Sequence, residues 1–331
     1  MTHSVKASII IPNWNGLTLL RECLGALERQ SLKNFEIIVV DNGSTDDSVG
    51  WLKRNANSIK LIALNENRGF STAVNQGIKA SQAPYVVLLN NDTLARPEWL
   101  ENLVRAMDKN PEASSGASRM LLYEPPHRID SAGDGFSFRS GGGFNIGAGE
   151  PAESHLEPAW VFGACAGAAI YRRQLFEDIG LFDEDFFLVF EDVDLSLRAQ
   201  MAGHRCLYVP EAVVHHHRGA STTPSEQVRL RSWRNHIWVA GKSLPPVLLI
   251  IWAGLLTVRL FRLALYSFLA TRDDDPDLIS FDRYLTTLRQ ALRALPAKRR
   301  ETAPSRRMSS WALIRRVQRQ PIGIESSEVA P

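Results

Sequence analysis

The sequence predicts an α/β protein, a mostly parallel sheet flanked by helices, with an apolar helical appendage towards the C-terminus. Three observations carry this. Strand-like and helix-like segments alternate through the first third of the chain, the pattern of right-handed βαβ units. The strand-like segments are unbroken apolar runs rather than alternations, as expected of strands covered on both faces. Four of them lead into polar tips, PNWN, DNGSTDD, NENRG and NNDT, and such sheets bind ligands outside the carboxyl ends of their strands.

SIIIP (8–12) is the first buried strand. GLTLLRECLGALERQ (16–30) sets Leu17, Leu20, Leu24 and Leu27 on one helical stripe. FEIIVVD (35–41) is a strand. STDDSVGWLKRN (44–55) opens with capping residues and acids that suit a helix N-terminus. IKLIALN (59–65) is a strand, FSTAVNQGIKAS (70–81) a helix and YVVLLN (85–90) the fourth strand. RPEWLENLVRAMDKN (96–110) is a helix with Pro97 near its first turn. Residues 124–157 break the pattern. Their core, SAGDGFSFRSGGGFNIGAGE, is Gly-rich and aperiodic, which fits a functional lid or a disordered loop. GACAGAAIYRR (163–173) resumes as a strand, followed by a short helix, RQLFEDIG. Further on, Val193, Leu197 and Met201 keep helical spacing and Gly203 is the stop. RCLYVPEAVVHHH (205–217) is a final extended segment.

At 331 residues the chain suits one large domain with an appendage. Its 44% hydrophobic and 22% charged content excludes wholesale disorder. A net charge of +2 gives no global field for nucleic acid, so no such partner is expected. Cys23, Cys165 and Cys206 are odd in number and widely spaced, against a disulfide framework or a cysteine metal site. The first apolar run, ASIIIP, is too short for a signal-peptide core, and a reducing, cytosolic compartment is expected.

Asp41 and Asp92 each end a strand. Either can cap the next helix or turn the chain; two on one sheet edge can also hold a ligand. Asp92, in NND, could bind Mg²⁺ or Mn²⁺ through oxygen. Such ions take one or two carboxylates plus substrate phosphates. In FEDVDL, Glu191, Asp192 and Asp194 crowd a helix start. Acids there favour the helix dipole, and packed together they push one pKa upward, which suits a general base. His215, His216 and His217 close a strand, with His216 on the opposite face from the other two. They are a solvated cluster, a metal pair or a phosphate contact.

SIIIPNWNG, VVDNGSTDDS, NRGFSTAVNQGI, LLNNDT, GLFDEDFFLVFEDVDLSLRAQMAG and VVHHH occur in this order across residues 5–242. Together they resemble the family 2 glycosyltransferases, in particular their rhamnosyltransferase-like branch. The resemblance implies a GT-A fold, in which a Rossmann-like nucleotide-binding half joins an acceptor half. It implies transfer of a sugar from a nucleoside diphosphate with inversion at the anomeric carbon. It places Pro12, Asn13 and Trp14 around the nucleotide base, Asp41 on the base or ribose, Asn67 and Arg68 near the nucleotide and Asn91 at the ribose. Asp92 and His215 would hold a divalent metal, Mg²⁺ or Mn²⁺. Asp192 would be the catalytic base with Glu191 beside it, and residues 164–167 would border the acceptor pocket. The first acid of the family's Asp-x-Asp motif is Asn90 here, a neutral amide that weakens metal affinity. The implied partners are a nucleoside-diphosphate sugar, dTDP-rhamnose first, and a glycan or lipid-linked acceptor of the cell envelope. Two rivals share the sheet. A catalytically idle nucleotide-sugar-binding protein is opposed by the intact Asp92, Asp192 and His215. A nucleotidyltransferase would want a Gly-rich phosphate loop where PNWNG stands.

Residues 1–242 are thus expected as the catalytic domain, 243–271 as an apolar, membrane-associated segment and 272–331 as a polar, basic tail, helical around FDRYLTTLRQALRAL and partly disordered. Residues 244–270 are long enough to span a bilayer, but Arg259 and Arg262 interrupt them on one helix face. An interfacial helix, a spanning segment and a soluble packing helix all stay open. The basic tail suits an anionic cytoplasmic leaflet, so the expected location is peripheral, on the inner face of the plasma membrane.

Overall fold

The computed structural model describes residues 5–56, 58–217, 226–244, 246–269, 279–318 and 322–323. Strands β1 (Ala7–Asn13), β2 (Phe35–Asp41), β3 (Lys60–Ala63) and β4 (Tyr85–Leu89) run parallel in the order β4-β1-β2-β3. Helices α1 (Leu17–Glu28), α2 (Ser48–Asn55) and α3 (Phe70–Ala80) connect them. Strand β1 shows why its sequence is uniformly apolar. Ile9 and Ile11 enter a core with Leu20, Leu24 and Leu27 of α1, while Ile10 enters the opposite core with Val74 and Ile78 of α3. Both faces are covered, so successive residues must all be apolar.

Past β4 the sheet becomes mixed. Strand β5 (Thr93–Ala95), helix α4 (Trp99–Lys109) and strand β6 (Ala113–Leu122) follow. Within residues 124–157, expected as a lid or a disordered loop, the middle stretch 129–146 is paired and partly packed. There β7 (Ile129–Ser131) pairs with β6, and β8 (Asp134–Ser137) forms a hairpin with β9 (Gly142–Asn145). Ile129, Phe136, Phe138 and Ile146 are buried. Strands of three or four residues are too short to register a period in the sequence. Next come β10 (Ala159–Val161), β11 (Ala168–Arg172), α5 (Arg173–Ile179), α6 (Glu191–Ala202) and β12 (Arg205–His216). Strand β11 lies antiparallel between β4 and β6, and β12 runs parallel to β6.

The described residues of the C-terminal third are mostly helical. Helices α7 (Glu226–Ser243), α8 (Pro246–Leu269), α9 (Phe281–Thr302) and α10 (Ser310–Gln318) follow the sheet. Trp233 and Trp238 of α7, Ala291 of α9 and Leu313 of α10 form a third core with Val193, Leu197 and Met201 of α6. Lys298 of α9 reaches Asp183 at 2.7 Å and Asp185 at 2.5 Å. The highly charged segment carries a sparse apolar stripe, Tyr284, Leu288, Ala291 and Leu295, at helical spacing. Residues 272–278, 319–321 and 324–331, also assigned to the tail, lie outside the described residues. In α8, Val247–Tyr266 is long and apolar enough to cross a membrane. Trp252, Leu256, Leu260 and Leu263 pack inward, while Ile250, Val258 and Phe261 are 73%, 52% and 70% exposed.

Candidate active site

The four polar tips meet on one sheet edge. Asn13 is buried at the end of β1. Its Nδ2 donates to Asp41 Oδ2 (2.9 Å), and its Oδ1 accepts from Asn91 Nδ2 (2.7 Å). Asp41 is itself fully buried, with its two oxygens taken by Ser44 N–H (2.9 Å) and Ser44 Oγ (2.7 Å) besides Asn13. Here Asp41 therefore braces the tip from within. Asn42 accepts from the backbone N–H of Arg68 (2.9 Å) and donates to Asn67 Oδ1 (3.0 Å). Gly69 follows at φ +86, and a Cβ there would strike Phe187, so glycine is required. Pro12 is half-buried beside this network, whereas Trp14 is 51% exposed and the Arg68 side chain is open to solvent. The arrangement leaves an exposed aromatic face and a guanidinium above a rigid amide lattice.

Asp92 sits on the same edge, buried. The imidazole that meets it is not that of His215 but that of His216, whose Nε2 lies 3.3 Å from Asp92 Oδ1. On its other side His216 Nδ1 bonds Asp130 Oδ2 at 2.7 Å. Strand register decides this, because His216 pairs with Thr93 and His215 with Leu94. Burial works against charge on His216, but its hydrogen bond to Asp130 and the nearby Asp92 outweigh it and push its pKa up to about 9. His215 instead stands edge-on to His127, with ring centroids 5.1 Å apart. Burial, with Arg96 and His127, pushes its pKa down to about 4. Asp92 Oδ1 is buried, and its contact with His216 is an ion pair outside hydrogen-bond geometry. A carboxylate oxygen facing an imidazole nitrogen is a donor pair that suits a divalent cation once the imidazole gives up its proton. Asp130 orients the imidazole, as carboxylates commonly do behind metal-bound histidines. Among the described residues no group of three or more His, Cys, Asp or Glu could hold a metal, so remaining ligands would come from substrate phosphates and water.

The three acids at the start of α6 separate by their partners. Asp194 is an ion-pair residue, 2.9 Å from Arg198 Nε and 2.7 Å from Lys242 Nζ. Glu191 is buried, and its Oε2 has no hydrogen-bond partner among the described residues. Burial, and then the charge of Asp192, push its pKa up to about 8. Asp192 is half-buried. Burial raises its pKa too, against the pull of the Ala166 and Val193 N–H groups. Of the pair, Asp192 is the more exposed. A fourth acid escapes sequence reasoning: Asp134 of β8, buried, with its pKa raised by burial and by the charge of Asp192. The two halves of the site are joined by adjacent residues. Ala166 N–H donates to Asp192 Oδ2 (3.3 Å), and Gly167 C=O accepts from Asn90 N–H (2.8 Å).

If Asp192 is the base, kcat/KM should rise with pH as it ionises, along a limb above the ordinary carboxylate range. Asp192→Asn should erase that limb and Glu191→Gln should keep it. A limb near pH 8 that vanishes in Glu191→Gln would instead name Glu191 as the base.

The turn before these acids is strained. Phe187, Val189 and Phe190 all have positive φ, at 66°, 69° and 73°, a conformation that non-glycine residues adopt only when their surroundings impose it. Asn235 of α7 imposes it. Fully buried, it donates from Nδ2 to the carbonyls of Phe186 (2.9 Å), Leu188 (3.0 Å) and Val189 (2.8 Å). Asn235→Asp keeps the shape but turns an acceptor towards three carbonyls. It should lower turnover by about 10²-fold through misplaced acids while nucleotide affinity, measured by calorimetry, holds.

Residues 8–180 match the family model of Glycosyl transferase family 2, and residues 154–235 that of Glycosyltransferase like family 2. The chain is 28% identical over 251 residues to the N-acetylglucosaminyl-diphospho-decaprenol L-rhamnosyltransferase of Mycobacterium tuberculosis, covering 67% of this chain and 80% of that one. It is 30% identical over 260 residues to the uncharacterized protein y4gI of Sinorhizobium fredii, covering 71% of this chain but only 28% of that relative. Against the O-antigen biosynthesis protein RfbC of Myxococcus xanthus it is 28% identical over 224 residues, or 65% of this chain and 18% of that one. Staphylococcus aureus TarS, residues 1–349, has a similar fold, with a TM-score of 0.54 at 17% identity over 90% of this chain and 89% of that one. The GT-A fold implied by the motifs is the fold found. With a family model spanning over half of its length and its strand-end and helix-start acids on one sheet edge, the chain belongs to the family 2 glycosyltransferases.

Proposed function

We propose that the chain is an inverting glycosyltransferase that moves a sugar from a nucleoside-diphosphate donor to a hydroxyl of a lipid-linked glycan acceptor of the cell envelope. Rhamnose from dTDP-rhamnose is the first donor to test. The observation that carries this reading is the link through Ala166 and Gly167. It ties a half-buried carboxylate of raised pKa to the strand tip that holds Asp92. A base for the acceptor and an anchor for a diphosphate thereby share one edge. The acceptor is inferred from the mycobacterial relative, whose name specifies a sugar on a diphospho-decaprenol.

In the reaction the nucleotide base would stack on Trp14, with Asn13 and Asn91 near the ribose and Arg68 at the phosphates. Asp92 and His216 would hold a divalent cation, Mg²⁺ or Mn²⁺, which supplies positive charge to a departing nucleoside diphosphate. Asp192 would take the proton from the acceptor hydroxyl as its oxygen bonds to the anomeric carbon and the bond to the diphosphate breaks. Attack from the face opposite the leaving group inverts that carbon. Asn235 and the strained turn keep Asp192 in place, so that positioning contributes alongside proton transfer. The test is to incubate purified protein with a panel of nucleotide sugars and follow nucleoside diphosphate release. Release from none of them, with or without acceptor, would overturn the reading.

The apolar outer face of α8 supports a peripheral position at the cytoplasmic membrane surface. Its inner face already packs on α7, which favours a helix lying in the interface over one ringed by lipid. Replacing Ile250 and Phe261 together by Glu should move the protein from membrane to soluble fractions, and alkaline carbonate should release the wild type. Wild-type protein that resists both carbonate and high salt would mark a spanning helix.

A further inference from the structure

Between the strained turn and α8 lies an open pocket of about 480 Å³. Its wall runs from Val189 and Phe190, the two residues ahead of Glu191, through Arg229, Trp233 and His236 of α7 to Arg259 of α8. Among the described residues that line it there is no carboxylate. The Arg259 guanidinium stands 4.9 Å from the Trp233 ring centroid, and Tyr284 meets that ring edge-on at 5.7 Å. Trp233 is 5% exposed, and its indole N–H has no acceptor among the described residues. Such a donor goes unsatisfied at a cost unless a ligand supplies the acceptor. His236 lies 5.6 Å from Phe190 between ring centroids. Its Nε2 is tied to Ser140 C=O at 2.8 Å, so it shapes the wall rather than adding charge. Two guanidiniums and a buried N–H around a space of this size suit phosphate oxygens.

The position of the pocket matches that chemistry. One wall is the turn that leads into Glu191 and Asp192. Arg259, on another wall, follows Val258 and precedes Phe261 on the apolar outer side of α8. A molecule with an apolar tail and a phosphorylated head could lay the tail along α8 and turn the head inward, towards the acids. We propose that this pocket binds the phosphate-bearing head of a lipid-linked acceptor, with Arg229 and Arg259 on the phosphate oxygens and Trp233 donating from its indole N–H. This rests on the glycosyltransferase reading given above, and it adds where the acceptor's lipid phosphate is held.

The test uses the full chain in chelator, which silences any cation-dependent diphosphate binding at Asp92. Farnesyl diphosphate, farnesol and inorganic diphosphate are titrated separately, and phosphatidylglycerol vesicles are added as a competitor. Farnesyl diphosphate should bind saturably, and both fragments at least about 10-fold more weakly, because neither carries both tail and charge. Arg259→Glu, on an exposed side of α8, should weaken farnesyl diphosphate at least about 10-fold, or 1.4 kcal/mol. Arg229→Glu should do the same and Arg259→Lys should lose less, with melting temperatures unchanged. Nucleotide binding in added divalent ion should be equal in all variants. Wild-type indifference to farnesyl diphosphate, or Glu variants that bind it normally, would overturn the proposal. So would full displacement by phosphatidylglycerol, which would make the pocket a general phospholipid contact. A chain that binds farnesyl diphosphate through these arginines but transfers no sugar keeps the pocket and overturns only the glycosyltransferase reading.

Discussion

Asp192→Asn should cut sugar transfer by roughly 10²–10⁴-fold, the usual worth of general base catalysis, while nucleotide affinity stays at the wild-type level. The substitution keeps size and hydrogen-bonding shape but cannot accept the acceptor's proton. Affinity should survive because Asp192 is held from Ala166, whereas the nucleotide tips are braced through Asn13, Asp41 and Asn42. Glu191→Gln should cost far less, since Glu191 is buried and its pKa near 8 keeps it protonated at neutral pH. Asp194→Asn is a control of a different kind. It breaks a buried pairing with Arg198 and Lys242, and its damage should appear as lost thermal stability. Normal transfer by Asp192→Asn beside a dead Glu191→Gln would move the base to Glu191. Loss of nucleotide binding in both would make the pair structural.

Asp92→Ala should lower transfer by about 10³-fold, the scale for losing a preorganised charge contact to a leaving group. It should also abolish the part of nucleotide binding that depends on divalent ions. Asp92 is the only acid in NND, and its Oδ1 is buried against the imidazole of His216. The neighbouring histidines should separate sharply. His216→Ala should approach the Asp92 variant, because His216 alone faces Asp92, whereas His215→Ala should retain most activity. Wild-type turnover by Asp92→Ala in chelator would sink the metal assignment, and a silent His216→Ala beside a dead His215→Ala would reverse the choice of histidine.

The legible parts of this chain were those whose signal is local. Strands β1 to β4 announce themselves as apolar runs, and Asp92, Glu191 and Asp192 stand at a strand end and a helix start, where the pattern changes. Direction in the second half of the sheet was not legible, because an isolated apolar run such as β11 carries no mark of which way it pairs. The choice between His215 and His216 turned on one residue of register. Alternation assigns them to opposite faces, but only the pairing of His216 with Thr93 shows which face sees Asp92. Asp130 and Asp134 were hidden in a Gly-rich stretch of strands too short for a period. Asn235 looked like any polar helical residue, since the carbonyls it holds lie 46 to 49 positions earlier. The helix around 281–295 was legible from its spacing, but its docking on α6 and α7 was not, because those partners lie far away in the chain.

The most direct measurement follows dTDP release from dTDP-rhamnose with and without a sugar-bearing polyprenyl diphosphate acceptor, and determines the anomeric configuration of the product by NMR. Release that depends on the acceptor, matched mole for mole by a glycoside of configuration opposite to the donor, is the predicted result. A product that retains the donor's configuration, or nucleotide sugar left intact beside every acceptor tried, would contradict it.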